Sequence, residues 1–165
     1  MGTVANVLVG DATVTVTPNA GTLHPAAPVI IGYTVDGVDM SVKTSFADIK
    51  VEETNGTIIR RITDQEVTVT LNVAEGTLDN LVIAIPGTHL AGAVLTIGGD
   101  MLGEFALSIV GVGPTGGFTR TIALPHVNAT GEVGIPFKKG AISVVPITFS
   151  CLTIAAGTFG TITDA

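Results

Sequence analysis

The residues whose spacing most resembles a chemical motif form a glycine-rich run, Gly111 to Gly116, with the sequence Gly-Val-Gly-Pro-Thr-Gly. In dinucleotide-binding proteins, glycines with this spacing connect a strand to a helix whose N-terminus binds the pyrophosphate. Here the next segment, Phe118 to Leu124, has the pattern of a strand, so the helix that this chemistry requires is missing. The run is therefore interpreted as a glycine-rich hairpin turn.

The histidines and the single cysteine form no metal-binding or nucleophile pattern. His24, His89 and His126 are far apart in the sequence, and none has a second ligand three or four residues away. Cys151 lies among apolar residues and is interpreted as a small buried hydrophobe. No Gly-x-Ser-x-Gly elbow occurs, so we expect no enzyme and no cofactor or metal.

Two pairs of carboxylates, Asp36 with Asp39 and Glu52 with Glu53, are close enough in sequence to suggest acid and base roles. Adjacent residues of a strand point to opposite faces, so Glu52 and Glu53 would not act on one substrate. Both pairs are better explained as solvated charges or as contacts between subunits.

The composition limits the class of protein. A length of 165 residues suits one domain, and only 13% of the residues are charged, against about 25% in a typical soluble protein. The net charge of −7 argues against a surface built to hold nucleic acid, which needs clustered lysine and arginine. The most apolar stretch, Leu81 to Ile97, is interrupted by Pro86, so no membrane insertion is expected. Large apolar surfaces are rare on monomers, which favours cover by further copies of the chain.

The distribution of 21 glycines and 8 prolines among β-branched residues predicts many short strands separated by turns. Apolar residues from Val67 to Val73 alternate with Glu66, Thr68 and Thr70, which predicts a half-buried strand with a polar outer face. Ala74 to Ile85 has helical spacing and predicts the one helix. The predicted fold is mainly β: an antiparallel β-sandwich or barrel of about ten short strands with one flanking α-helix. The other predicted strands include 29–34, 38–44, 93–97, 105–110, 118–124, 127–133, 142–151 and 159–163.

Turn sequences divide these strands. Asp36-Gly37 and Asn55-Gly56 predict two-residue hairpins, and Pro125-His126 predicts another turn. Pro18 to Pro28 contains three prolines and is expected to be a loop that is mobile or ordered by a partner.

The hairpin around Asn55-Gly56 is expected to project over residues 43–62 and to concentrate charge of both signs. Its charges either form a solvated face that prevents aggregation or dock on a neighbouring subunit. The candidate contact residues are Lys43, Asp48, Lys50, Glu52, Glu53, Asn55, Gly56, Arg60 and Arg61.

Two stretches of the chain resemble the tail tube (major tail) proteins of long-tailed phages and related tail-like particles. In residues 47–81, a charged hairpin leads into a strand and then into Ala-Glu-Gly-Thr-Leu-Asp-Asn-Leu, which is similar to the family's helix start. The second stretch combines residues 119–131, which begin Thr-Arg-Thr-Ile-Ala-Leu-Pro-His-Val, with residues 136–152, and is similar to the family's late strand pair and closing core strand.

The resemblance implies a β-sandwich whose copies close into hexameric rings, with rings stacked into a hollow tail tube for the passage of double-stranded DNA. It implies that residues 43–62 reach an adjacent ring, while Glu66, Thr68 and Thr70 are the preferred lumen-facing residues. The implied partners are a tape measure protein, a tail terminator and a distal tail or baseplate protein. The implied location is the virion tail, after assembly in the host cytoplasm. The alternative is a non-enzymatic β-sandwich binding or virion-decoration module.

Overall fold

A computed structural model describes residues 11–22, 25–50, 52, 56–113, 118–137, 139–140, 142–155 and 157–165. These ranges contain ten β-strands and one α-helix. The elements are β1 (Ala12–Pro18), β2 (Val29–Ile31), β3 (Thr34–Ile49), β4 (Ile59–Val73), α1 (Leu78–Ala84), β5 (Thr88–Ala91), β6 (Val94–Ile97), β7 (Phe105–Val112), β8 (Thr119–Thr130), β9 (Val145–Cys151) and β10 (Thr161–Asp164).

Within the described ranges, eight strands form one antiparallel sheet in the order β2-β1-β7-β8-β9-β4-β3, with β10 beside β8. β5 and β6 form a separate hairpin. Residues of the β1–β7 half and of the β4–β9 half belong to the same buried cluster, so the sheet folds over on itself as a sandwich. The predicted mainly β, antiparallel fold with one helix is confirmed, and the described strands close no barrel.

The core follows the predicted alternation in β4. Its apolar residues pair with apolar residues of β9, as Val69 does with Phe149 and Leu71 with Ile147. Phe149 is fully buried. Because directly opposite residues share a face, these pairs form one continuous apolar layer. The buried residues of β4 are Val67, Val69, Leu71 and Val73.

The helix is shorter than the predicted 74–85 range. α1 begins only at Leu78, because Thr77 is extended (φ −68, ψ 157) and its Oγ1 accepts a hydrogen bond from Asn80 N at 3.2 Å. This contact satisfies a backbone donor of the first turn, which fixes the helix start at the cap and not at Ala74. α1 packs against β2, β5, β8 and β9 at one end of the core. No helix in the described ranges combines the length and apolar character needed to cross a bilayer.

The predicted hairpin at Asp36-Gly37 is wrong. Both residues lie inside β3, where they form a bulge between the pairs Val35–Asn72 and Val38–Leu71. Their φ angles are +64 and +76. A type I′ turn requires the same left-handed backbone, so the local sequence cannot distinguish a turn from a bulge.

The predicted turn at Pro125-His126 is also wrong, since β8 continues through it. Leu124 lies opposite Leu107 and Val127 opposite Phe105, so Pro125 and His126 lie opposite the single residue Ala106 and β8 carries one extra residue. Proline has no N–H to donate and is tolerated at such an irregularity. β8 pairs with β10 before this point and with β9 after it, so one strand serves both layers of the sandwich.

The predicted loop 18–28 is partly described. Pro18 ends β1, and residues 23 and 24 lie outside the described ranges. The Asn19 side chain donates to Glu104 Oε1 at 3.1 Å and to the Pro125 carbonyl at 2.9 Å. Thr22 Oγ1 donates to the Glu104 carbonyl at 2.8 Å. These bonds attach the start of the loop to the residue before β7 and to the irregular part of β8.

Candidate assembly surfaces

The hairpin predicted for residues 43–62 is the outer part of the paired strands β3 and β4. We call residues 43–50 and 56–62 the distal hairpin. Its pairing extends to Ile49–Ile59, and the Ile58 N–H donates to the Ile49 carbonyl at 2.9 Å. All residues of β4 before Val67 are exposed. The predicted projecting hairpin is therefore present, although its strands continue inward as far as Thr34 and Val73.

The turn of this hairpin is only partly described. Gly56 is exposed and has φ +147, a backbone conformation that favours glycine. Glu52 is exposed as well. Two of the predicted contact residues, Glu53 and Asn55, lie outside the described residues.

Large apolar side chains are exposed on both faces of the distal hairpin. Phe46 and Ile62 lie opposite each other and are 54% and 61% exposed. Ile49 and Ile59 form the last strand pair, and each is 45% exposed. Monomeric proteins rarely leave such a cluster open to water, so the hairpin has the composition of an interface.

Asp48 and Arg60 join the two strands of the distal hairpin. Arg60 donates from Nε to Asp48 Oδ1 at 2.7 Å and from Nη2 to Oδ2 at 3.0 Å. The guanidinium also lies 5.7 Å from the centroid of the Phe46 ring. The hydrogen bonds to Arg60 lower the pKa of Asp48, and those to Asp48 raise the pKa of Arg60. This contact joins two of the predicted contact residues across the hairpin.

The other predicted charges are spread over the hairpin. Lys43 lies opposite Glu66, and Arg61 lies opposite Ala47. Lys50 is exposed just beyond the end of β3. The hairpin thus offers cations along its length in addition to the Asp48–Arg60 pair.

Glu66, Thr68 and Thr70 lie on the side of β4 away from the core, as predicted. Thr68 is opposite both Ser41 and Ser150, and Thr70 is opposite both Asp39 and Thr148. Directly opposite residues share a face, so the polar surface crosses four strands, β3, β4, β9 and the end of β8. We call it the hydroxyl face: Asp39, Ser41, Lys43, Glu66, Thr68, Thr70, Thr130, Thr148 and Ser150.

β3 forms one border of this face. In the described part of the chain it is bonded to β4 on one side, and no strand lies on its other side. It is 16 residues long. A long strand with unpaired backbone groups is a template for pairing with another chain.

A cleft with a volume of ≈ 510 Å³ lies between the start of β3 and strands β7 and β8. Its apolar walls include Met40, Ile109 and Ile122. Tyr33, which also lines it, is 80% exposed. No sequence pattern indicates this cleft, because its residues come from distant parts of the chain and an exposed aromatic has no local pattern.

The cleft carries more negative than positive charge. Asp11 and Asp36 line it, together with Arg120. Arg120 Nε and Nη2 each donate to the Asp164 carboxylate at 2.7 Å, and these bonds lower the pKa of Asp164. Because Asp164 balances Arg120, the carboxylates of Asp11 and Asp36 give the cleft a net negative charge.

The histidines and the cysteine are not brought together. His24 lies outside the described residues, His89 is 3.4 Å from Asp100, and His126 Nδ1 contacts Glu104. Burial raises the pKa of the Cys151 thiol to about 11. Among the described residues, no three histidine, cysteine or acidic side chains are grouped to hold a metal ion.

Comparisons of the chain with models of known protein families and with curated proteins found no match.

Proposed function

We propose that this chain is a structural, non-enzymatic subunit that closes into hexameric rings, which stack into the hollow tail tube of a phage or related particle. The observation that carries the proposal is the hydroxyl face beside the unpaired edge of β3. The resemblance of residues 47–81, 119–131 and 136–152 to tail tube proteins supports the same conclusion.

A ring would use the unpaired edge of β3. Pairing this edge with a strand of the next subunit satisfies its backbone groups and joins the sheets into one inner barrel. The hydroxyl face then lines the lumen, with Glu66, Thr68 and Thr70 at its centre. Asp39 and Glu66 outnumber Lys43 on this face. Duplex DNA is held mainly by clustered cations, so such a lining lets it pass without specific binding.

Ring stacking would use the distal hairpin. Lys43 to Ile49 spans six residue steps, or about 20 Å at the rise of a β-strand. This length takes Ile49, Ile59 and Arg61 well beyond the sandwich. Contact with a neighbouring ring would cover the apolar side chains that the isolated subunit leaves exposed.

The proposed partners follow from a tube with two ends and a filled lumen. They are a tape measure protein inside the tube, a tail terminator at one end and a distal tail or baseplate protein at the other. The proposed location is the virion tail, assembled in the host cytoplasm.

Negative-stain electron microscopy of the purified protein over a range of concentrations tests the proposal. We expect rings or hollow tubes. A chain that stays monomeric at high concentration, with neither rings nor tubes, would contradict the proposal and favour a virion-decoration or other binding module.

A further inference from the structure

The cleft has the features of an acceptor for an apolar, basic segment. Ile109 and Ile122 form part of its apolar wall, and Tyr33 stands exposed beside them. Tyrosine is favoured at interface centres because it combines a large apolar surface with a hydroxyl. Asp11 and Asp36 supply negative charge to the same cleft.

The distal hairpin has the complementary features. Its last strand pair, Ile49 and Ile59, is exposed, and Arg61 lies on the same strand face as Ile59. Asp48 balances Arg60, and exposed Glu52 lies near Lys50, so Arg61 supplies the charge of this face. The face that carries Ile59 and Arg61 fits an apolar cleft bordered by carboxylates, since the Arg61 cation meets the opposite potential when it inserts.

The hairpin cannot reach the cleft of its own subunit. Met40 lines the cleft, and Ile49 lies nine residues further along the same strand. At the rise of a β-strand this separation is about 30 Å. β4 remains paired with β3 as far as Ile49, which keeps the hairpin extended. The occupant must therefore come from another molecule.

We propose that the cleft of one subunit receives the distal hairpin of a second copy of this chain, with Ile59 beside Tyr33 and Arg61 near Asp11. The inference rests on the proposed assembly function and adds the acceptor surface to it. Donor and acceptor are different surfaces of one chain, so the contact is head-to-tail and repeats from subunit to subunit.

Disulfide cross-linking between two variants tests this contact. One variant carries Tyr33→Cys and the other Ile59→Cys. Both positions are exposed, so each variant should fold, which circular dichroism would verify. The natural Cys151 is buried, and its raised pKa, about 11, keeps it unreactive near neutral pH. After assembly and mild oxidation we expect a covalent dimer in the mixture and little in either variant alone.

The matched control replaces Tyr33→Cys by Thr70→Cys, on the hydroxyl face, and mixes it with Ile59→Cys. We expect no dimer from this pair. If tubes form by microscopy but Tyr33→Cys and Ile59→Cys do not cross-link, the cleft is not the acceptor and the proposed function stands. If neither tubes nor cross-links form, both proposals fail.

Charge exchange gives a second, independent readout. Asp11→Lys and Arg61→Glu should each raise the protein concentration needed for assembly by about two- to fivefold, as expected for an exposed ion pair. The double variant should recover most of the loss, and added salt should reduce all these differences. A double variant that assembles no better than the worse single variant would overturn the proposed pairing.

Discussion

Asp48 and Arg60 face each other across the distal hairpin, with Asp48 Oδ1 2.7 Å from Arg60 Nε and Oδ2 3.0 Å from Nη2. The pair lies beyond an irregularity in β4, where Ser45 pairs with Asp64 but Phe46 pairs with Ile62. The extra residue, Thr63, shifts the register at this point. The Asp48–Arg60 contact therefore helps to hold the outer register of a hairpin that has no core of its own.

Replacing Asp48→Ala should loosen the hairpin without unfolding the sandwich. We expect an almost unchanged thermal midpoint, because the pair is exposed, and faster hydrogen exchange of the Ile58 amide, which donates to the Ile49 carbonyl. Exchange measured by mass spectrometry would follow this change. The swapped pair Asp48→Arg with Arg60→Asp should restore protection, and unchanged exchange in Asp48→Ala would contradict the role of the contact.

Deleting residues 52–61 should abolish tube growth and leave a folded subunit. The buried part of β4 begins at Val67, so the deletion removes no core residue. Circular dichroism would report the fold and electron microscopy the assembly. A full-length variant with Phe46→Ser and Ile59→Ser serves as the control for loop length and should also assemble poorly. Normal tubes from the deletion would reject the assignment of the hairpin.

Thr68→Lys combined with Thr70→Lys should make assembled tubes retain DNA. Both residues lie on the hydroxyl face, where added cations would hold phosphate groups. Thr13→Lys adds a cation at an exposed position of β1 and is the control. DNA retained at low salt and released at high salt, in the first variant only, is the expected result. Equal retention by the control would show that the hydroxyl face does not line the lumen.

Phe149→Ala should destabilise the subunit by about 3–5 kcal/mol, the usual effect of removing a buried phenyl group. Phe149 is fully buried, opposite Val69. The same substitution at Phe137, which is 95% exposed, should have little effect on the free energy of unfolding. Urea denaturation of the two variants would compare them. Similar losses at both positions would mean that the core is misassigned.

Stability should fall in acid partly through Glu104. Its hydrogen bonds to His126 and Asn19 hold its pKa below the ordinary value of 4.5. The unfolded chain therefore binds the proton more readily, so the contribution is complete above pH 4.5 and is lost as the pH falls through the lowered value. Glu104→Gln should make the thermal midpoint depend less steeply on pH below 4.5. Exposed Glu132→Gln is the control, and an equal change there would contradict the assignment.

The sequence was most informative where a pattern follows directly from burial. Val67 to Val73 alternates because one face of β4 is buried in the core, and the sequence predicts this half-buried strand correctly. Asp36-Gly37 and Pro125-His126 were misassigned because left-handed backbone or a missing N–H permits both a turn and a bulge. The partner strand decides between them, and it is distant in sequence. β5 was missed because Thr88–Ala91 is short and lies between turn residues.

The two candidate surfaces also differ in whether the sequence predicts them. The distal hairpin is visible in the sequence because Asn55-Gly56 marks its turn and charges flank it. The cleft is not, since Tyr33, Ile109 and Ile122 approach one another only after β1, β3, β7 and β8 have assembled. No local sequence periodicity predicts that these distant residues lie together in the fold.

The separation of about 30 Å between Met40 and Ile49 along β3 has a consequence for growth. If the end of β3 in one subunit binds the cleft at the start of β3 in the next, each added subunit presents another unoccupied cleft. The contact itself therefore sets no limit on the length of the polymer. The final extent of the polymer must be measured by something other than this chain.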